Sequence, residues 1–410
     1  MRQSALPFYY GWIVLVASAF AELLAQGATS YSAGLFVLPL QAEFHISRAN
    51  ANSAVVILFL GAAFAAPLAG RALDRFPIRA VVPVGALLFG GALALIAMSS
   101  SLLVMALMLL IPASIGFMLL GPLNTSTLAA RWFWRHRGLA MGIAAVATSG
   151  GGLVVVPLLS RAIAQMGWRT ALLYEAAIMA GVVIVLALFF LRDTPASIGA
   201  EGHYENQGRP STVEGVKPRP RVSEILSRRD FWIPVLAVGI ITSACQAIVV
   251  TVVPYGAQLG IAPTTAALFI SAFAICAAVT KIVAGILADH FDLSRLAAAA
   301  VLVMALAHLS LWLAPSYGGL LAGSCLAGIA LGCAMPTTAS MIARSFGAPA
   351  FGATMGWGWT VSLILTIAAT RFVGVIYDAT HGYAAAFSAF LALTVAVLVL
   401  IVVLPRRTPG

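Results

Sequence analysis

Charge is what this sequence has least of. Lys, Arg, Asp and Glu make up 9% of its 410 residues, against about a quarter in soluble domains, which argues against a water-soluble enzyme or binding domain. Acidic residues are the scarcer sign, 13 against 23 basic ones. The four cysteines, Cys245, Cys276, Cys325 and Cys333, fall in apolar runs without metal-ligand spacing. They read as small packing residues, and no disulfide framework or zinc site is expected. Neither His-Glu-x-x-His nor Gly-x-Ser-x-Gly occurs, and Gly150-Gly151-Gly152 lacks the Lys-Ser/Thr of a phosphate cradle. No enzyme activity, cofactor or metal is expected.

What the chain has instead is apolar length: 61% hydrophobic residues and a mean hydropathy of +1.02. A helix needs about 20 apolar residues to cross a bilayer core. Runs of that kind cover residues 9–38, 51–72, 80–99, 102–130, 138–164, 169–191, 231–258, 264–288, 295–314, 318–343, 351–377 and 382–404. The predicted fold is an all-α polytopic membrane protein, with twelve transmembrane helices in two six-helix halves. The halves are residues 1–191 and 231–410, joined by a polar linker at 192–230 rich in Pro, Gly, Asp, Glu and Arg.

The basic excess is a topology signal. With the N-terminus inside, eighteen basic residues fall on the cytoplasmic side and three, Arg48, Arg161 and Arg169, outside. Both termini are expected in the cytoplasm, in a multi-pass protein of the cell (cytoplasmic, inner) membrane. The lipid bilayer is the implied partner; no nucleic acid is, and a monomer is expected. Ala17-Ser18-Ala19 resembles a cleavage site, but the apolar run continues through it, so no cleaved leader is expected.

Against this background each intramembrane charge needs a reason. Lys281 lies inside the eighth run, about 12 Å along the helix from Asp289, and an ammonium there costs at least roughly 2.5–3.5 kcal/mol. It reads as a functional cavity lysine, with a structural ion pair or snorkelling stem as the alternative. Glu22 in span one is either a cavity carboxylate or a structural partner of another charge. Glu175 in span six is a proton site or, the preferred reading, a partner of a nearby arginine. Arg371 reads as paired with Asp378 or snorkelling outward, with a substrate role as the alternative. The polar residues Tyr31, Asn124, Gln246, Tyr255 and Thr337, together with Trp357, are candidate substrate contacts; simple helix–helix hydrogen bonds explain the polar ones equally well. His308 reads as structural.

Three groups of features recur in the same order at nearly one offset. Gly70 and Asp74 return as Gly285 and Asp289, a shift of 215. Pro122 and Ser126 return as Pro336 and Ser340, and Gly138 to Gly142 as Gly352 to Gly356, both shifts of 214. The two halves are therefore a parallel repeat, an arrangement that points to a transporter. In the loop after span two, Asp74 with Arg75 and Arg79 reads as a latch that bridges helix ends in one conformation only.

Gly70-x-x-x-Asp74-Arg75-x-x-x-Arg79 resembles the pattern of the major facilitator superfamily. The second copy keeps Gly285, Asp289 and Arg295, with His290 in the arginine place and one extra residue. Within it the chain is similar to the oxalate–formate and monocarboxylate porter group. The resemblance rests on Gly11-Trp12, on Tyr31-Ser32-Ala33-Gly34-Leu35-Phe36, and on the run from Arg131-Trp132-Phe133-Trp134 through Gly142. It implies secondary transport of a small organic anion by alternating access, with a proton or an exchanged anion as coupling partner. It also implies that Lys281, four residues before Gly285, holds the substrate carboxylate. Ala277 stands where a carboxylate is frequent, and no second cation lies near Trp357, which favours a monocarboxylate over a dianion. The competing readings are an exporter of amphiphilic drugs or cations centred on Glu22, a non-transporting membrane sensor and a membrane enzyme.

Overall fold

In the computed structural model, residues 9–46, 48–200, 222–261, 263–313, 316–380 and 382–403 are described, apart from some side chains within those ranges. Tyr31 and Asp378 are among those side chains, so these two candidates lie outside the described residues. Helix accounts for nearly all of the described chain, and no strand occurs among the described residues. Hydrocarbon offers no partner to a free peptide group, so each apolar run satisfies its own backbone as helix.

The first half runs α1 (Gly11–Gln26), a π-turn (Gly27–Tyr31), α2 (Ala33–Phe44), α3 (Arg48–Arg75) and α4 (Ile78–Met98). Then come α5 (Leu102–Met108), a second π-turn (Leu109–Ala113), α6 (Ser114–Leu120), α7 (Pro122–Trp132), α8 (Arg137–Met166) and α9 (Trp168–Phe190). After the short α10 (Val222–Ser227) follow α11 (Arg229–Gln258), α12 (Pro263–His290), α13 (Leu293–Leu313), α14 (Tyr317–Phe346), α15 (Phe351–Thr380) and α16 (Ala384–Val403). Eleven described stretches are long and apolar enough to span a membrane, and Ala384–Val399 is a shorter twelfth. Spans one and four, continuous as apolar runs, are broken. A π-turn interrupts each, and at Gly121 an extended residue lets Pro122 start α7 at its first helical position.

The chain divides into two compact units. One comprises Met1–Arg221 with Phe346–Thr360, the other Val222–Ser345 with Val361–Gly410. The start of α15 therefore groups with the first unit. Small residues set the packing in both units, as expected where lipid supplies no hydrophobic drive between helices. A Cβ on Gly90 of α4 would lie 2.8 Å from the Ala176 carbonyl oxygen of α9, and one on Gly328 of α14 would lie 2.3 Å from that of Phe273 on α12. In the second unit, α13 and α16 close around His308. Its Nδ1 lies 3.0 Å from the Met304 oxygen and its ring stacks on Phe390 at 5.5 Å, a structural role.

Candidate functional site

Within the first unit, polar groups gather midway along α1. Ser18, Glu22 and Gln26 are spaced one turn apart and all three are buried. Ser18 donates to Thr125 Oγ1 at 3.1 Å and accepts from Asn124 Nδ2 at 3.1 Å. Asn124 therefore bridges α7 to α1, and its buried Oδ1 accepts no hydrogen bond among the described residues. An acceptor oxygen left open beside a stripe of buried polar side chains is what a solute-contacting surface needs. Pro122 makes this possible by restarting the helix at α7, which sets Asn124 in its first turn.

The same unit holds a second polar cluster at the end marked by Asp74. Its carboxylate accepts from the backbone N–H of Gly352 at 3.0 Å and of Ala353 at 2.7 Å, at the beginning of α15. Those groups are the unsatisfied donors of a helix N-terminus, where a negative charge is favoured. The approach requires glycine, because a Cβ on Gly70 would lie 2.1 Å from the Gly352 oxygen. Further along, Thr360 donates to the Ala63 oxygen at 2.7 Å, and a Cβ on Gly356 would lie 2.4 Å from the Ala66 oxygen. Helix α3 and the first turns of α15 thus touch backbone to backbone.

A cation near Asp74 is Arg131, with Nη2 3.9 Å from Oδ1. Arg131 also donates to the Leu73 oxygen, and its Nη1 is 3.9 Å from Asp193. Asp193 in turn caps α4 through the Ile78 N–H at 2.6 Å. Of the arginines in the loop motif itself, Arg75 is exposed and Arg79 donates to the Leu188 oxygen at the end of α9. The second unit repeats part of this design. Arg344 donates to the Ala288 oxygen at 2.8 Å, as Arg131 does to that of Leu73. There Asp292 accepts from the N–H of Arg295 at 2.9 Å and caps its own hairpin; Arg295 itself is exposed and Asp289 half-buried.

Lys281 of α12 is only 4% exposed. Its helix lies against α14 at Gly332, where a Cβ would meet the Ala277 backbone oxygen at 2.6 Å and the Lys281 backbone nitrogen at 3.1 Å. Of the other candidates in that unit, Gln246 is half-buried. The Thr337 hydroxyl donates to its own helix at the Cys333 oxygen, 2.7 Å away. Tyr255 packs in the apolar core, 5.7 Å from Tyr383 and 5.5 Å from Phe387 between ring centres. Arg371 is exposed. In the first unit Trp357 is half-buried, and its indole nitrogen has no hydrogen-bond partner among the described residues. No cluster of three or more His, Cys, Asp or Glu with metal-binding geometry occurs among the described residues.

One cluster has no counterpart in the sequence reading. At the opposite end of the first unit, Glu43 accepts from Trp168 Nε1 at 2.8 Å and from Arg169 Nε at 3.1 Å and Nη2 at 2.5 Å. Arg169 also donates to the Ala97 and Ser99 oxygens, at 2.5 and 2.7 Å, and so joins the ends of α2, α4 and α9. The Arg169 hydrogen bonds hold the Glu43 carboxyl below the usual carboxylate range.

The Major Facilitator Superfamily model matches residues 18–261 and 238–410. The oxalate:formate antiporter of Oxalobacter formigenes is 28% identical over 61% of this chain and 57% of its own length. Monocarboxylate transporter 12 of Rattus norvegicus is 23% identical over 92% of this chain and 82% of its own. The chain spans about half the length of some curated relatives, 45% in one case. Among solved structures, the human organic anion transporter MFSD10 (TETRAN) superposes with a TM-score of 0.73, covering 95% of this chain and 99% of that one at 16% identity. A match that runs through both halves, on a fold of this helix count, makes the chain a member of the Major Facilitator Superfamily.

Proposed function

We propose that the protein is a secondary transporter of a small organic anion, a monocarboxylate, working by alternating access with proton symport or anion exchange. The observation that carries this is the burial of Lys281 in α12. An ammonium in that position is costly unless a counter-charge meets it, and a carboxylate held by it gains a charge-assisted contact. The names of the relatives, an oxalate:formate antiporter and a monocarboxylate transporter, fit the same ligand chemistry. Ser18, Glu22 and Asn124 form the polar surface of the first unit for that solute, and Asp74 with Arg131 is the latch.

The Asp74 end faces the cytoplasm in this reading, because basic residues concentrate there. Uptake of radiolabelled formate, lactate, pyruvate and oxalate into proteoliposomes tests the proposal. Lys281→Gln removes a charged hydrogen bond worth roughly 1.5–3 kcal/mol, so affinity for the transported monocarboxylate falls about 10- to 150-fold. Lys281→Arg retains binding. Unchanged carboxylate affinity in Lys281→Gln would refute the assignment.

A further inference from the structure

Glu175 is the acidic residue of α9, and 92% of it is shielded by the fold, since its exposure is 8%. Neither oxygen has a hydrogen-bond partner among the described residues. Helices α4, α1 and α8 pack against α9. Their charged groups are Arg79, in the first turn of α4; Glu22, on α1; and Arg137 and Arg161, on α8. Arg79 and Arg137 lie at the far ends of their helices from Trp168, and Arg161 is exposed. Arg169, six residues earlier on α9, is taken up by Glu43; among the described residues no group hydrogen-bonds to the Glu175 carboxyl, so the neutral acid is the form that suits the site.

A cavity of about 380 Å³ opens along the same face of α9. Its lining includes Trp168 and Leu172 of α9, Thr29 of the first π-turn, Leu109 of the second, and Asn50 and Ser53 of α3. Trp168, Leu172 and Glu175 are buried positions at i, i+4 and i+7, one stripe of one helix. Glu175 therefore lies one turn beyond the last α9 residue of the cavity wall. Both π-turns border this cavity, and such turns frequently mark functional sites.

From this placement we propose that Glu175 is a proton-binding site of the carrier, loaded from the Trp168 end of the first unit through this cavity. The step is a simple transfer: a hydronium ion entering the cavity gives one proton to the Glu175 carboxylate, leaving water and a neutral carboxylic acid. This deepens the transport reading and rests on it, naming the proton as the coupling ion and Glu175 as its carrier.

Infrared difference spectroscopy on the purified protein in liposomes reads the site directly. A carbonyl band of a neutral carboxylic acid is expected in the wild type, lost as pH rises and missing in Glu175→Gln. Leu172→Trp, which narrows the cavity, slows the deuterium shift of that band. A missing band, or one insensitive to pH and to Leu172→Trp, overturns the proposal. In transport, Glu175→Gln abolishes the acceleration of lactate uptake by an acid-outside gradient and leaves lactate counterflow without a gradient intact. Gradient-driven accumulation that survives in Glu175→Gln, or counterflow lost along with it, also overturns the proposal. If the wild type moves no carboxylate at all, the transport reading fails, and the infrared band alone decides whether Glu175 exchanges a proton.

Discussion

Asp74→Asn changes one atom and removes one charge at the start of α15. The carboxylate now serves two backbone donors, at 3.0 and 2.7 Å, and its side chain is 3% exposed, so solvent screens little of the interaction. Asparagine keeps one acceptor oxygen. It loses one charged hydrogen bond, worth roughly 1.5–3 kcal/mol, and the favourable charge at a helix N-terminus, worth about 0.3–1 kcal/mol. These terms overlap, and a net of about 2–3 kcal/mol corresponds to a roughly 30- to 150-fold change in an equilibrium constant. If the contact exists in one conformation only, that factor falls on the conformational equilibrium and leaves the solute site intact. The assay compares exchange rate in proteoliposomes with equilibrium binding on purified protein. Exchange is expected to slow at least tenfold while the binding constant moves less than threefold, in line with a shift of at least about 1.4 kcal/mol in the conformational equilibrium alone. A lowered melting temperature with unaltered exchange would refute the latch and leave Asp74 as a plain helix cap.

Gly70→Val places side-chain atoms where the Gly352 backbone already lies, so it is expected to separate α3 from α15 and slow exchange as Asp74→Asn does; wild-type exchange would count against the contact. Arg131→Gln removes the cation beside Asp74 and Asp193, whereas Arg344→Gln removes a carbonyl contact alone, so a thermal melt should show the greater loss for Arg131→Gln. Glu43 is held below its ordinary carboxylate range, so its contribution is present above that range and is lost as pH falls through the lowered value. The pair is partly exposed, 39% on the Glu43 side, so Glu43→Gln costs only about 0.2–1 kcal/mol, and its melting-temperature deficit against wild type should vanish in acid. Cysteine at Ser197 should resist impermeant thiol reagents added outside cells while cysteine at Ser100 reacts; labelling at Ser197 would invert the proposed orientation.

The helices and the repeat were legible because apolar length and a constant offset survive in a linear string. Lys281 stood out for the same reason, as one cation in a long apolar run. Arg131 belongs to the family pattern, yet nothing in the string marks it as a partner of Asp74, because the contacts named above lie 57 or more positions away and one of the three is to a backbone oxygen. Arg344 hid in the same way, lying 213 positions after Arg131 and so one short of the repeat offset. The Glu43 clasp joins three helix ends by a fold-dependent meeting that no periodicity encodes. Thr337 shows the reverse effect, since a hydroxyl inside a helix can satisfy itself locally. The cap at Gly352 was invisible because its donors are backbone groups, which every sequence contains.

The π-turn at Gly27–Tyr31 carries a consequence for chain length. Such a turn holds one residue more than the α-helical geometry needs, and each helical residue advances about 100°. The wide turn absorbs the extra residue, so removing one there would restore an unbroken α-helix and leave everything up to Phe44 facing much as before relative to Ser18 and Glu22. Removing one from the regular helix before the turn would instead rotate that segment by about 100°, so that Phe36 and Leu40 would leave the cavity wall and Glu43 would swing away from Trp168 and Arg169, with no side chain changed in kind. Substitutions swap one surface for another, whereas a one-residue deletion outside the turn re-indexes a whole segment. A deletion scan across span one should therefore be tolerated best within Gly27–Tyr31, although Gly27 itself admits no larger residue, since a Cβ there would lie 2.4 Å from Val155.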